Sequence, residues 1–240
     1  EVFRSRDFWV AFKNTLVLNI LGVIVGFPGP IILAIMLNEV KKEKLRSFMQ
    51  ATVYLPHFLS WVVVSGIFIM LLSSQGGLVN TVLESFGIKP IPFMMKRGWW
   101  ICVYLLTGIW KEIGWNSIIY MAAITNIDPA LYEASYIDGA NKWNQIWHIT
   151  LSGIKPTIVL LLILKMGNML SIGFEQPFMM GNSAVSDVSE VISTHVYVYG
   201  LQNNRYSYAT AVGLFQSVLN FILLVSVNFI SKKVSEEGIW

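Results

Sequence analysis

The chain has 240 residues, of which 55% are hydrophobic and 13% charged, with a formal net charge of +3 and a mean hydropathy of +0.59. Soluble proteins average roughly 25% charged residues, so this composition excludes water as the main solvent, and the small scattered positive balance makes no case for nucleic acid. A single cysteine, Cys102, excludes an internal disulfide, and His57, His148 and His195 lack metal-ligand spacing.

The chain starts at Glu1, and "EVFRSRDFW" lacks the basic-then-apolar layout of a signal peptide; the expectation is that a segment upstream is missing. A hydrocarbon core about 30 Å thick needs about 20 apolar residues of helix. Residues 15–37, 51–72 and 208–231 meet this without any Asp, Glu, Lys or Arg. Residues 99–125 meet it with Lys111 and Glu112 inside, and 157–180 with Lys165 and Glu175. The "GFPGP" at 26–30 is expected to kink its span rather than end it, because neighbouring helices can satisfy the freed backbone groups. Between spans, "GGLVNTVLESFG" at 76–87 places Leu78, Val79, Val82, Leu83 and Phe86 at helical spacing, predicting a short amphipathic helix at the membrane surface.

The count of positive charge does not orient the spans, although the dense cluster in the short 38–48 loop leans toward the cytoplasm. With 38–48 in the cytoplasm, that side holds Lys41, Lys42, Lys44, Arg46, Lys142, Lys155, Lys232 and Lys233, against Arg4, Arg6, Lys13, Lys89, Lys96, Arg97 and Arg205 outside.

The polar stretch "NIDPALYEASYIDGANKWNQIWHITL" reads as two short helices hinged at Gly139. Asp128 suits an N-cap and Pro129 the first helical position. Gly139 permits a backbone reversal, and Trp143, Ile146, Trp147 and Thr150 share one face of the second helix. From pattern alone, this is equally an amphipathic loop resting on lipid headgroups with interfacial tryptophans.

Residues 133–156 resemble the EAA loop of ATP-binding-cassette (ABC) importer permeases. Glu133 and Ala134 are followed by Asp138, Gly139 and Ala140, then Ile149 and Leu151, closing with Pro156. The sequence departs from that pattern at Ser135 for Ala, Ile146 for Phe and Ser152 for an internal Pro. "FKNTLVLN" at 12–19, "WKEIGWNSIIYMAAI" at 110–124 and the closing "EEGIW" extend the resemblance along the chain. They are similar to the carbohydrate-uptake branch, maltose transporter-like and MetI-like, and most of all to its polysaccharide and complex-oligosaccharide permeases.

The resemblance implies an all-α integral membrane protein with the type I importer permease fold. Five helices are visible, a sixth is missing at the N-terminus, and 1–240 is one transmembrane domain with a cytoplasmic coupling loop at about 126–156. It further implies a multi-pass protein of the bacterial plasma membrane, non-catalytic, without a cofactor of its own. ATP and Mg would be bound by a dimer of cytoplasmic ATPase subunits, a second homologous permease would pair with it, and an extracellular binding protein would deliver sugar. Leu131, Glu133, Ala134, Asp138 and Gly139 would meet the ATPase, with Tyr132 adding apolar contact area. Glu133 suits a charge-assisted pair, whereas Asp138 reads better as a local turn residue.

Intramembrane charges cost about 2.5–3.5 kcal/mol each on insertion scales, so Lys111, Glu112 and Lys165 should face protein or water, with Lys165 a candidate partner of Glu112. Asn168, Glu175 and Gln176 are candidates for a sugar path, although such residues more often only make polar contacts between helices. No nucleotide-binding glycine loop occurs, so the energy source is a partner. An ion- or proton-coupled secondary transporter using Glu112, Glu175, Lys111 and Lys165 is the alternative, and a membrane-embedded enzyme is a third class.

Overall fold

The computed structural model describes residues 2–235, and all regular structure among them is helical; the "EEGIW" resemblance falls on 236–240, outside the described residues. In chain order the helices are α1 (Arg6–Leu21), α2 (Pro28–Asn38), α3 (Glu43–Tyr54), α4 (Trp61–Leu71), α5 (Leu78–Ser85), α6 (Arg97–Thr125) and α7 (Pro129–Ile137). After these come α8 (Lys142–Gln145), α9 (Leu151–Gly153), α10 (Lys155–Gly167), α11 (Glu175–Met180), α12 (Ser186–Ser189), α13 (Ile192–His195) and α14 (Tyr206–Ser235). They group into two compact units, one of residues 1–24, 59–109 and 168–223, the other of 25–58, 110–167 and 224–240.

Two of the expected spans are unbroken by length and apolarity, Arg6–Asn38 and Tyr206–Lys233. Where a kink is expected, a π-helical turn runs over Gly22–Gly26 and α2 restarts with Pro28 at its first position, where a missing N–H costs little, and Arg6–Asn38 stays one span. The expected span 99–125 is the 29-residue α6. The remaining two are broken. Residues 51–72 divide into the end of α3, a 3₁₀ turn at Leu55–Phe58 and α4, which begins afresh with Ser60 Oγ accepting from Val63 N. Residues 157–180 divide at 168–174 into α10 and α11.

In the first unit, side-chain amides fill the backbone gaps that this second break opens. Asn19 donates to the Met169 carbonyl at 2.6 Å, Gln216 to the Leu170 carbonyl at 2.7 Å, and Asn220 Oδ1 accepts from Leu170 N at 3.1 Å. Without water to do so, only such partners can satisfy a broken helix within a bilayer. The same unit is closed by Asn14, whose amide reaches the carbonyls of Asp187 and Glu190, and by Thr15 Oγ1, which accepts from Ile192 N. Trp100, fully buried, donates to the Met180 carbonyl at 2.8 Å and stacks on Tyr104. His195, also fully buried, lies between Glu190 Oε1 and the Tyr208 hydroxyl, each at 2.8 Å. The expected amphipathic helix at 76–87 is α5, but its apolar residues divide between two faces: Val79 and Leu83 pack on the core around Trp100, while Leu78, Val82 and Phe86 are exposed.

In the second unit, Ala34, Leu37, Tyr120, Met121, Ile124 and Ile154 form the core. The α3 backbone meets α6 at Gly114, where a Cβ would overlap the Val53 carbonyl; small residues are what permit such an approach. Two residues earlier, Glu112 Oε2 lies 2.9 Å from His57 Nδ1 and Oε1 3.5 Å from Lys111 Nζ. Lys111 also donates to the His57 carbonyl at 2.6 Å. Glu112 therefore pairs with His57 and Lys111 rather than with Lys165, because the turn at Leu55–Phe58 brings an imidazole and a carbonyl to this point of α6.

Replacing Gly114 with Ala is expected to cost about 1–3 kcal/mol through overpacking against the α3 backbone, read as a lowered melting temperature of the detergent-solubilised protein. Gly98→Ala, on the same helix with open space around it, should stay within about 0.5 kcal/mol of the parent.

Candidate functional site

The stretch at 126–156 folds as two short helices around a tight turn. Asp128 Oδ1 accepts from Ala130 N at 2.9 Å, and Pro129 opens α7. The far end of α7 closes with two reciprocal bonds, Ala140 N to the Ser135 carbonyl at 2.9 Å and Gly139 N to the Tyr136 carbonyl at 3.1 Å. This pairing is the Schellman motif, which needs a left-handed residue after the cap; Gly139 supplies it with φ +77°. Asp138 is the C-cap of α7, as its reading as a turn residue requires. Asn141 Oδ1 then accepts from Asn144 N at 2.9 Å and starts α8 at once, a second cap that the sequence reading passed over although Asn is a strong N-cap type.

The two arms are knitted by one partly buried chain of side chains. Gln145, 8% exposed, donates to Ser135 Oγ at 3.0 Å, and Ser135 Oγ donates to the Tyr132 carbonyl at 2.8 Å. The hydroxyls of Tyr132 and Thr150 lie 3.0 Å apart. Ser135, a departure from the EAA pattern, is thus the residue through which the arms join. Lys142 Nζ to Glu39 Oε2 at 2.9 Å ties the loop to the end of α2.

The expected common face of Trp143, Ile146, Trp147 and Thr150 is not kept. Residues Ile146–Thr150 wind as a π-helix, whose wider turn moves Thr150 inward to 3% exposure while Trp143 and Trp147 stay outward. On α7, Leu131, Tyr136 and Ile137 are exposed too, with Glu133, Ala134, Asp138 and Gly139 exposed as well. All five residues expected to meet a partner, Leu131, Glu133 and Ala134 on α7 and Asp138 and Gly139 in the turn after it, are therefore exposed.

The three path candidates are placed differently from one another. Asn168 is exposed in the turn that ends α10, and Glu175 is exposed at the start of α11. The break at 168–174 removes the two helical turns expected between them. Gln176 is buried and gives its amide nitrogen to the Tyr104 carbonyl at 2.7 Å and Thr107 Oγ1 at 3.2 Å. Among the described residues no group of three or more His, Cys, Asp or Glu is gathered as a metal site.

Residues 19–236 match the family described as "Binding-protein-dependent transport system inner membrane component". The chain is 45% identical over its whole length to the polygalacturonan/rhamnogalacturonan transport system permease protein YteP of Bacillus subtilis (strain 168), of which it covers 75%. Its fold superimposes with a TM-score of 0.93, at 41% identity and covering 99% of this chain and 83% of the other, on a chain of a bacterial alginate ABC transporter in complex with an alginate pentasaccharide-bound periplasmic protein. It also superimposes with a TM-score of 0.55, at 15% identity and covering 95% and 94% of the two chains, on a chain of the MetNI methionine ABC transporter, a likeness of fold alone. Permeases of this family work with a second permease, an ATPase and a substrate-binding protein. The chain belongs to the binding-protein-dependent transport system inner membrane components, as a non-catalytic, multi-pass permease subunit of an ABC importer in the bacterial plasma membrane.

Proposed function

We propose that this permease carries an oligosaccharide or a fragment of a polysaccharide, and that the loop at 126–156 is where ATP-driven movement enters it. The observation that carries the cargo reading is likeness along the whole chain, 45% and 41% identity, to permeases whose names specify polygalacturonan, rhamnogalacturonan and alginate. In this reading the loop lies in the cytoplasm. ATP and Mg sit on a pair of ATPase subunits, the second permease is a similar but distinct chain, and an extracellular binding protein presents the sugar.

The loop suits that task mechanically. A push is transmitted only by an element that does not bend under it, and α7 is closed at both ends, by Asp128 and by the Gly139 turn. The Gln145–Ser135 bond makes the second arm move with the first. Exposed Leu131, Tyr136 and Ile137 offer apolar area for a cleft in the ATPase, and Glu133 a carboxylate for an Arg or Lys there. Closure of the ATPase dimer would carry the loop inward and open the path outward; hydrolysis would reset it. Asn168 and Glu175, both exposed, remain candidates for the path, whereas Gln176 has only its amide oxygen to offer.

In the complex reconstituted with its sister permease, ATPase and binding protein, Glu133→Ala should weaken ATPase docking by about 2 kcal/mol, roughly thirtyfold in affinity, read by titrating the ATPase onto the permease pair. Gly139→Pro, whose ring fixes φ near −65°, should abolish stimulation of ATP hydrolysis by sugar-loaded binding protein, while Gly139→Asn, which tolerates the left-handed region, should retain most of it. Uptake assays with galacturonan, rhamnogalacturonan and arabinan fragments beside a simple disaccharide should favour the longer polysaccharide fragments; uptake of the disaccharide alone would contradict the cargo reading.

A further inference from the structure

Around α11, α12 and α13 the first unit holds an open cavity of about 260 Å³. Pockets for drug-sized ligands start at roughly 300 Å³, so this one has room for a single ring and not for a chain. Phe178, Gly181, Ser183, Ser189, Glu190 and Tyr199 are among the residues that line it. The span at 157–180 separates it in the chain from the loop at 126–156. With that loop in the cytoplasm, the cavity opens on the outer side, where sugar arrives.

Polar groups facing this space are not used by the fold. Ser189 is 5% exposed, yet its hydroxyl has no hydrogen-bond partner among the described residues and is not sealed off. Gly181 keeps it open, since a Cβ at that position would stand 3.3 Å from Ser189 Oγ. A nearly buried hydroxyl without a protein partner is costly unless something in the cavity meets it. Ser183 is exposed, and its hydroxyl also lacks a partner among the described residues. Glu190 gives one carboxyl oxygen to His195 at 2.8 Å, and the other has no partner among the described residues. The aromatic walls are held in place. Tyr199 stacks on His195 with centroids 4.5 Å apart and donates its hydroxyl to Asp7 Oδ2 at 3.3 Å, and Phe178 stacks on Phe174 at 4.6 Å.

Hydroxyls that donate as well as accept, beside a carboxylate oxygen and aromatic rings, fit a ligand with hydroxyls on its edge and C–H bonds on its face. An ammonium would use the acceptors and leave the donors idle, and a sugar carboxylate would be repelled by Glu190. We infer that the cavity is an outer saccharide subsite, in which one neutral pyranose unit binds through Ser183, Ser189 and Glu190 with its face against Tyr199 or Phe178. The inference rests on the carbohydrate reading above and adds a binding point on the outer side, ahead of the membrane-spanning path.

The test uses the importer reconstituted in nanodiscs, with Ser186→Cys at the exposed rim of the cavity in a Cys102→Ala background, labelled by a membrane-impermeant maleimide. A site for one ring should bind a neutral disaccharide with a Kd of about 1 mM, so about 10 mM should slow labelling about tenfold without any binding protein. A galacturonate disaccharide should slow it much less. Ser189→Ala removes no contact within the protein, so assembly and melting temperature should hold while the protection weakens about fivefold, the worth of one hydrogen bond. No labelling in the sugar-free complex, labelling that saccharide does not slow, or equal protection in the Ser189→Ala protein would overturn the subsite. Protection by empty binding protein and none by saccharide would make the cavity a docking point for a side chain of that protein, and would overturn it as well. An assembled wild-type complex that takes up no saccharide would overturn the carbohydrate reading itself, a result distinct from lost protection in a complex that transports.

Discussion

Every feature of this protein is governed by the absence of hydrogen-bonding solvent inside the bilayer. A helix may break there only where another part of the protein supplies donors and acceptors. The break at 168–174 persists because Asn19, Gln216 and Asn220 reach its backbone. The turn at Leu55–Phe58 persists with the Lys111 ammonium on the His57 carbonyl. Polar residues in these spans are therefore mostly committed, Gln176 to α6 and Asn14 to the carbonyls of Asp187 and Glu190. Asn116, exposed at the middle of α6, has no hydrogen-bond partner among the described residues.

The same constraint explains what could be read from the sequence. Apolar runs flanked by charge are visible in composition, so the two unbroken spans, Arg6–Asn38 and Tyr206–Lys233, and the long α6 were legible. The breaks in the other two were not, because the amides that satisfy them are remote: Asn19 and Met169 are 150 positions apart. Gly167, Gly173 and Pro177 around the second break, and Pro56 at the first, were the available local signals. Lys165 was a plausible partner for Glu112 on charge alone, but the carboxyl is met by a histidine that only the turn after α3 brings near.

The loop at 126–156 was more legible than the spans, since its determinants are local. Asp128, Pro129 and Gly139 each sit where backbone chemistry demands their type, and the Schellman bonds follow from that spacing. Two features escaped the sequence reading. The π-helical turn at Ile146–Thr150 carries no residue signature and moved Thr150 off the expected face. The Gln145–Ser135 bond is a tertiary choice between arms, visible beforehand only as a polar residue where the EAA pattern has Ala.

Movement generated by a partner's ATP hydrolysis, and not an ion gradient, drives transport through an ABC permease of this kind. Uptake of a labelled polysaccharide fragment into proteoliposomes, with and without ATP on the ATPase side and with the ion and proton gradients collapsed, tests it most directly. Uptake should require ATP, the ATPase and the binding protein together, and should survive collapse of the gradients. Uptake by this chain alone, driven by a gradient and indifferent to ATP, would contradict it.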